Sequence, residues 1–314
     1  MKPSDSKALN ITFGVELETT VPLHSGFEIG GYHRGPRIGQ GVRQIDQLFI
    51  PAPNFNGTYW RAERDGSIRY TLDQKPCEFV SPILHGEAGV ERLCEFVEWA
   101  KAIGAQVNDS CGCHITVSVD SIIGTSDNQA RSEFARKLAH LVRWHSRAIF
   151  GQTGTGRHQN NYSRAFSPQV GELVKTMETS HASDIRERAA TECGRGIVNF
   201  RKLYSSGLIE FRAFAGTLNT SKLLHHLATV LGLCRRAHEV QKLGAFKKNK
   251  LQESRTRTAL ESLQFLWNYL GWTGRNRPVA MGLFGRLHAQ FGTYGKTAMR
   301  MCNQFDQQFP HADL

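Results

Sequence analysis

Apolar and polar residues alternate regularly along the segment of residues 11–21. Every second residue from Ile11 to Leu17 is apolar, and the intervening and following positions include two carboxylates, Glu16 and Glu18. Successive side chains of a β-strand point to opposite faces of its sheet, so this period of two predicts a strand with one apolar face. The same period puts both carboxylates on the opposite, polar face.

Two later segments also put chemically active side chains on one face of a strand. The strand region 106–120 has a polar face made of His114, Thr116, Ser118 and Asp120. The strand pair within 197–214 has another face, made of Leu208, Glu210, Arg212 and Phe214. Carboxylates held side by side repel one another and resist desolvation, so a face that gathers them needs a compensating cation. Oxygen ligands with one imidazole suit Mg²⁺ or Mn²⁺.

The remaining pattern indicates a mixture of strands and helices. Helical spacing of apolar residues predicts helices at 87–103, 127–150, 221–243, 252–270 and 295–308. Short strands are predicted at 60–65 and 78–83, and a loop rich in Gly, Pro and Asn covers 24–60. Because the elements do not alternate as β-α-β and hairpin signals favour antiparallel pairing, the pattern predicts an α+β fold. We expect a catalytic core at 1–220, with a mainly helical part at 221–314 packed on the same domain.

The composition restricts the class of protein. The 314 residues are 40% hydrophobic and 21% charged, which is ordinary for a globular protein. No stretch approaches the roughly 18 apolar residues that span a bilayer, and Met1–Asn10 lacks the apolar core of a signal peptide. The seven cysteines are odd in number and irregularly spaced, which favours reduced thiols and a cytoplasmic location. The net charge of +11 favours anionic partners, such as nucleotides, nucleic acid or carboxylate substrates.

Five short motifs resemble those of the amidoligase family and occur in the expected order within residues 11–220. They are Phe13–Glu18, Asp65–Ile68, Glu78–Ile83, Cys111–His114 and Ile209–Asn219. That family is related to glutamine synthetase and glutamate–cysteine ligase, which are carboxylate–amine ligases. The resemblance implies a glutamine-synthetase-like catalytic fold, in which a curved antiparallel sheet forms a cleft for ATP and metal with helices packed behind it.

The resemblance also implies roles for individual residues. Glu18 and Glu78 would bind a metal ion near the substrate, and Arg212 would contact the transferred phosphoryl group. A second metal ion, on the ATP phosphates, would be bound by Glu16, His114 and Glu210. Relatives commonly carry a second histidine two places after the first, where this chain has Thr116.

Two further residues are assigned to nucleotide binding. Ser67 lies in the Asp65–Ile68 motif, and Arg157 follows a glycine-rich loop at 151–156 that could cradle a phosphate or a substrate carboxylate. Ser67 and Arg157 complete, with Arg212, the predicted cofactor-binding set, while Arg212 and Glu210 form the predicted catalytic pair. The loop lacks the Lys-Ser/Thr pair of a P-loop, so a plain flexible loop is the alternative interpretation.

The resemblance implies an ATP- and Mg²⁺-dependent (or Mn²⁺-dependent) ligase that forms an amide bond through an acyl-phosphate intermediate. Its expected partners are ATP and a carboxylate and an amine on small molecules, peptides or proteins, and no membrane. One alternative is a phosphotransferase of the guanidino-kinase type, which shares this general fold. A second alternative is a basic nucleic-acid-binding protein, favoured by the charge of +11 but without a recognised binding motif.

Overall fold

The secondary structure is known for the residues that the computed structural model describes, which are 11–25, 29–31, 60–153, 163, 165, 176, 183–192, 194–240, 257–271 and 298–307. The strands in this part are β1 (Thr12–Pro22), β2 (Arg61–Glu63), β3 (Gln74–Val80), β4 (Leu84–His85), β5 (Gly112–Ser118), β6 (Val198–Asn199) and β7 (Leu208–Ala215). The helices are α1 (Gly86–Ala102), α2 (Val119–Ile123), α3 (Asn128–Gly151), α4 (Ser183–Glu192), α5 (Leu203–Ser206), α6 (Thr220–Glu239) and α7 (Ala259–Tyr269). Residues 298–307 are also helical.

The strands form one antiparallel sheet with the order β2-β3-β1-β5-β7-β6, and the short strand β4 pairs with the start of β1. Every pairing between these strands is antiparallel. The longest strand, β1, lies between β3 and β5, so it contributes side chains to the middle of the sheet. An antiparallel sheet combined with helices confirms the predicted α+β class.

The apolar face of the sheet is covered by helices. Helix α6 packs against β5, α1 and α3, and α7 packs against α3. The alternation predicted for β1 is present, because Phe13, Val15 and Leu17 are buried in the core, whereas Glu16 is not fully buried. The core continues from the strands into α6 and α7, through residues such as Leu227 and Leu263. The division of the chain at residue 220 stays a prediction.

Local signals mark where two helices end and begin. Gly104 follows α1 with a φ of 83°, and its N–H donates to the Lys101 carbonyl oxygen. Asp127 precedes α3, and its carboxylate accepts from the Ala130 N–H at 2.7 Å. No helix in the described part of the chain combines the length and the apolar character that crossing a membrane requires.

Strands β3 and β5 have boundaries that differ from the predicted ones. Strand β3 starts at Gln74, before Pro76, because β1 continues to Pro22 and pairs with the first residues of β3. Strand β2 pairs only with the last three residues of β3. Strand β5 ends at Ser118, whose hydroxyl accepts from the Ser121 N–H as the N-cap of α2. The prediction that Asp120 shares the polar face of β5 is therefore wrong.

Asp120 instead forms an ion pair in the helical layer. Its two oxygens accept from Arg131 Nε and Nη2 at 2.8 and 2.6 Å, and Arg131 also donates to the Tyr204 carbonyl oxygen at 3.0 Å. Arg131 is buried, so the bidentate contact satisfies a charge that would otherwise be costly to desolvate. The contact with Tyr204 connects α3 to the short helix α5, which lies between β6 and β7 in the chain.

A β-bulge in β7 changes which side chains share the polar face. Cys113 pairs with Phe214, whereas Ile115 pairs with Phe211, so β7 has one extra residue at this point. An extra residue reverses the alternation beyond it. Phe214 therefore turns to the apolar face, where its ring stacks on His226 at 4.4 Å between centroids. The prediction that Phe214 lies on the polar face is wrong, because a period of two cannot register a bulge.

Substituting Gly207 should test the packing of Asp120 against the start of β7. Gly207 and Gly124 both have positive φ, at 65° and 72°, so alanine is strained at either position. A Cβ on Gly207 would lie 2.6 Å from the Asp120 carboxylate, whereas one on Gly124 would meet nothing within 4 Å. We expect Gly207→Ala to lower the free energy of unfolding by about 1 to 3 kcal/mol more than Gly124→Ala does, measured by urea denaturation. Equal losses would contradict this packing.

Candidate active site

The strand register brings the predicted acidic residues together on the polar face of the sheet. Glu16 lies opposite His114 on β5, and Glu18 lies opposite Glu78 on β3. Glu210 lies opposite the residue two places beyond His114 on β5. Directly paired residues of an antiparallel ladder point to the same face, so four strands, β1, β3, β5 and β7, bring these five side chains together.

His114 is at the centre of this cluster. Its Nδ1 lies 3.2 Å from Glu16 Oε2 and 3.4 Å from Glu210 Oε1, and its Nε2 lies 3.3 Å from Glu18 Oε1. Burial favours the neutral ring, but the contact with Glu16 and the charges of Glu18 and Glu210 outweigh it and raise the pKa of His114. The imidazolium form therefore balances part of the negative charge in the cluster.

The pKa values of two carboxylates in the cluster are shifted in opposite directions. Burial acts to raise the pKa of Glu16, but the hydrogen bond and charge of His114, with Lys202 and Arg212, lower it overall. Burial and the negative charge of Glu16 raise the pKa of Glu78 to about 8. One proton on His114 is thus insufficient to keep all the carboxylates ionised, and a further cation would be stabilised here.

Within the part of the chain that the structure describes, two overlapping groups of side chains could hold a metal ion. The first consists of Glu16, Glu78 and His114, and the second of Glu18, Asp65 and Glu78, each with ligand atoms within 4.8 Å of one another. Carboxylate oxygens with a single imidazole fit Mg²⁺ or Mn²⁺ by ligand type. No metal-binding role is predicted for Asp65 from the sequence alone. Its position at the start of the Asp65–Ile68 motif, just after β2, is the sequence signal that could have indicated one.

Glu18 is held in place by the backbone of β5. The Gly112 N–H donates to Glu18 Oε2 at 2.5 Å, and both groups are buried. Gly216 packs closely against Cys111, the residue that precedes Gly112. A Cβ on Gly216 would lie 2.7 Å from the Cβ of Cys111. Only glycine fits at 216 without displacing the segment that carries this N–H.

Glu210 is held through both of its oxygens. Arg212 Nη1 donates to Oε1 at 2.8 Å, and Asn199 Nδ2 donates to Oε2 at 2.9 Å. Asn199 reaches Glu210 because the two residues pair directly between β6 and β7. The bulge in β7 puts Arg212 in the stretch opposite His114, so its guanidinium lies on the polar face beside the cluster.

Solvent reaches the described residues of the cluster unequally. The side chains of Glu18 and Glu78 are 5% and 7% exposed, whereas those of Glu16, Glu210 and Arg212 are 29%, 17% and 22% exposed. A charged ligand can therefore reach the cluster from the side of Glu16, Glu210 and Arg212.

The two residues assigned to nucleotide binding have different outcomes. Ser67 is exposed in the turn after β2, and its N–H donates to Asp65 Oδ1 at 2.6 Å, which places it beside the second acidic group. Arg157 lies outside the described residues, so its assignment stays a prediction. Thr116 lies on the polar face directly opposite Glu210.

The sequence matches a family model described as "Putative amidoligase enzyme" over residues 9–233. No curated protein matches the chain significantly. A similar solved structure is a bifunctional glutathione synthetase from Pasteurella multocida, with 12% sequence identity and a TM-score of 0.40. The match covers 97% of this chain and 52% of the other, so the chain spans about half the length of that protein. A TM-score this low does not establish a common fold.

Glu78→Gln is expected to stabilise the cation-free protein at neutral pH. The pKa of Glu78 is about 8 in the folded protein against an ordinary value of 4.5. Between these pH values the unfolded chain loses a proton that the folded chain keeps, so stability is present below pH 4.5 and falls as pH rises towards 8. Glutamine does not ionise, so the variant should avoid this loss. We expect its free energy of unfolding at pH 7 to exceed that of the wild type by about 1 to 3 kcal/mol. Urea denaturation between pH 4 and 8 in EDTA measures it.

Glu63→Gln is the matched control for this experiment. Glu63 lies opposite Glu78 on the sheet, but its carboxylate has an ion-pair partner, Arg61, at 3.0 Å. We expect its substitution to leave the slope of stability against pH unchanged. If both variants flattened the slope equally, charge on this face in general would be responsible, and the crowding of Glu78 would not.

Proposed function

The chain belongs to this amidoligase family, and from that membership we propose that it is an ATP- and Mg²⁺-dependent carboxylate–amine ligase. The observation that carries the proposal is the meeting of Glu16, Glu18, Glu78 and Glu210 around His114, with Arg212 at the open side. Family membership supports formation of an amide bond. The acidic cluster supports the dependence on a divalent cation.

The donor set fits a hard divalent cation. Glu16 and His114 with Glu210 would hold one ion at the open side, and Glu18 and Glu78 with Asp65 would hold another at the buried side. Bound there, Mg²⁺ would supply positive charge that offsets repulsion between a phosphate and a substrate carboxylate. The raised pKa of Glu78 supports this, because a buried carboxylate crowded by others is stabilised in its ionised form by a cation.

The proposed reaction has two steps. An oxygen of the substrate carboxylate forms a bond to the γ-phosphorus of ATP, while the bond between that phosphorus and the bridging oxygen breaks and ADP leaves. The amine nitrogen then forms a bond to the carbonyl carbon of the acyl phosphate. Inorganic phosphate leaves with the electron pair of the carbon–oxygen bond, and the nitrogen loses a proton.

Arg212 is the residue of the chain proposed to contact the transferred phosphoryl group. Its guanidinium presents five N–H groups in a planar fork, of which the bond from Nη1 to Glu210 uses one. Planar donors match phosphoryl oxygens two at a time, which a lysine ammonium cannot do. Glu210 would therefore have two tasks, as a ligand of the cation and as the group that orients Arg212.

A glutamine-synthetase-like catalytic fold is part of the same proposal. The observed antiparallel sheet has a polar face that carries the cluster and an apolar face covered by α6. That arrangement supports a cleft for ATP on the polar face, with Ser67 and Arg157 as further nucleotide contacts. The region from residue 221 onward would complete the layer of helices behind the sheet.

Arg212→Lys and Glu210→Ala should each reduce ATP turnover at least about 100-fold, while the thermal unfolding midpoint changes little. Lysine keeps the charge but loses the planar fork, and alanine removes both a cation ligand and the partner of Arg212. Arg236→Lys and Glu239→Ala are matched controls, because these residues form an ion pair on α6 at 3.1 Å. Near wild-type turnover in Glu210→Ala would show that the site is wrongly assigned.

The direct test of the function is a screen of substrates. Phosphate release from ATP and Mg²⁺ is measured across a panel of carboxylates and amines, and the products are identified by mass spectrometry. A ligase should release phosphate only when both substrates are present, and should yield a product with the mass of the amide. A phosphorylated acceptor with no amide would favour a phosphotransferase of the guanidino-kinase type and contradict the ligase.

A further inference from the structure

Asn199 connects the cluster to a neighbouring turn through both ends of its side-chain amide. Nδ2 donates to Glu210 Oε2 at 2.9 Å, and Oδ1 accepts from the Arg201 N–H at 2.9 Å. The backbone around it is also fixed, because the Arg212 N–H donates to the Ile197 carbonyl oxygen at 2.9 Å. The amide of Asn199 therefore has one orientation that satisfies both of its ends.

This orientation fixes the plane of the Glu210 carboxylate, so that one of its oxygens faces the cluster. Asn199 occupies Oε2, so Oε1 is the oxygen that lies 3.4 Å from His114 Nδ1 and accepts from Arg212. Without the Asn199 amide, Arg212 would be the remaining hydrogen-bond donor to this carboxylate among the described contacts, and rotation about the last torsion of the side chain could turn the plane of the carboxylate away from the cluster. The side-chain torsion next to a carboxylate is broad, so local packing does not otherwise fix it.

We propose that Asn199 is a positioning residue, which sets the affinity of the cluster for a divalent cation by holding the plane of the Glu210 carboxylate so that one of its oxygens points towards His114. The inference rests on the proposed function, since it takes the cluster as a cation site. Groups that hydrogen-bond to metal ligands orient them, and their removal typically costs about 10- to 100-fold in metal affinity. Asn199 contacts none of the other carboxylates in the described contacts, so its effect should pass through Glu210 alone.

A double-mutant cycle on Mn²⁺ binding tests this route. The dissociation constant of Mn²⁺ is measured from the electron paramagnetic resonance signal of the free ion, without nucleotide. The four proteins are the wild type, Asn199→Ala, Glu210→Ala and the double variant. We expect Asn199→Ala to weaken binding about tenfold in the wild-type background and to have no further effect once Glu210 is alanine.

Asn128→Ala is the matched control for loss of an asparagine side chain. Asn128 Oδ1 accepts from Arg131 Nη1 at 3.1 Å at the start of α3, in the helical layer. Its substitution should leave Mn²⁺ affinity unchanged, and thermal unfolding should show that all the variants remain folded. A loss of affinity in Asn128→Ala as large as that in Asn199→Ala would overturn the proposal, because it would indicate a general loosening of the fold.

The outcomes separate this inference from the proposed function. If the wild type binds Mn²⁺ and Asn199→Ala binds it equally well, the positioning role is wrong and the cation site stands. If Asn199→Ala loses the same factor in the presence and absence of Glu210, Asn199 acts by another route and the proposal is also wrong. If the wild type shows no saturable Mn²⁺ binding, the proposed cation site itself fails, and this inference fails with it.

Discussion

The repulsion among carboxylates on one face of a sheet is the constraint on which the rest of the site depends. Glu18 and Glu78 are nearly inaccessible to water, and Glu16 and Glu210 are only partly exposed. Such groups are tolerated together only with compensating positive charge. In the protein alone, His114 and Arg212 provide part of it, as the opposite pKa shifts of Glu16 and Glu78 indicate. A bound cation would supply the remaining positive charge.

The apolar side of the same strands supplies the rigidity that holds these groups together. Val15 and Leu17 lie beside the two glutamates of β1 but point into the core, and Ile115 does the same beside His114. Burial of each such side chain contributes roughly 1.5 to 3 kcal/mol, which opposes the repulsion on the polar face. The hydrogen bonds from Gly112 to Glu18 and from Asn199 to Glu210 then fix individual carboxylates. The stability of the core and the geometry of the site thus come from alternate residues of the same strands.

The differences between prediction and structure have a common cause in long-range contacts. Phe214 lies on the face opposite to the predicted one because of a bulge whose extra residue has no local sequence signal. Asp120 lies outside the sheet, where it pairs with Arg131. Helix α4 was not predicted, because its apolar residues are few and its surface is mostly charged. For Phe214 and Asp120 the deciding partner lies on another element. Periodicity describes one element at a time, so it cannot include such a partner.

The sequence alone determined the type of fold, the strands that carry Glu16, Glu18, His114, Glu210 and Arg212, and the face of each strand on which they lie. It could do so because side-chain alternation is a local property of the strand. Tertiary structure decided what register and packing control: the pairing of Glu16 with His114 and of Glu18 with Glu78, the approach of Asp65, and the contact of Asn199 with Glu210. These distances depend on strands far apart in the chain, and only hydrogen-bonded pairing across the sheet fixes them.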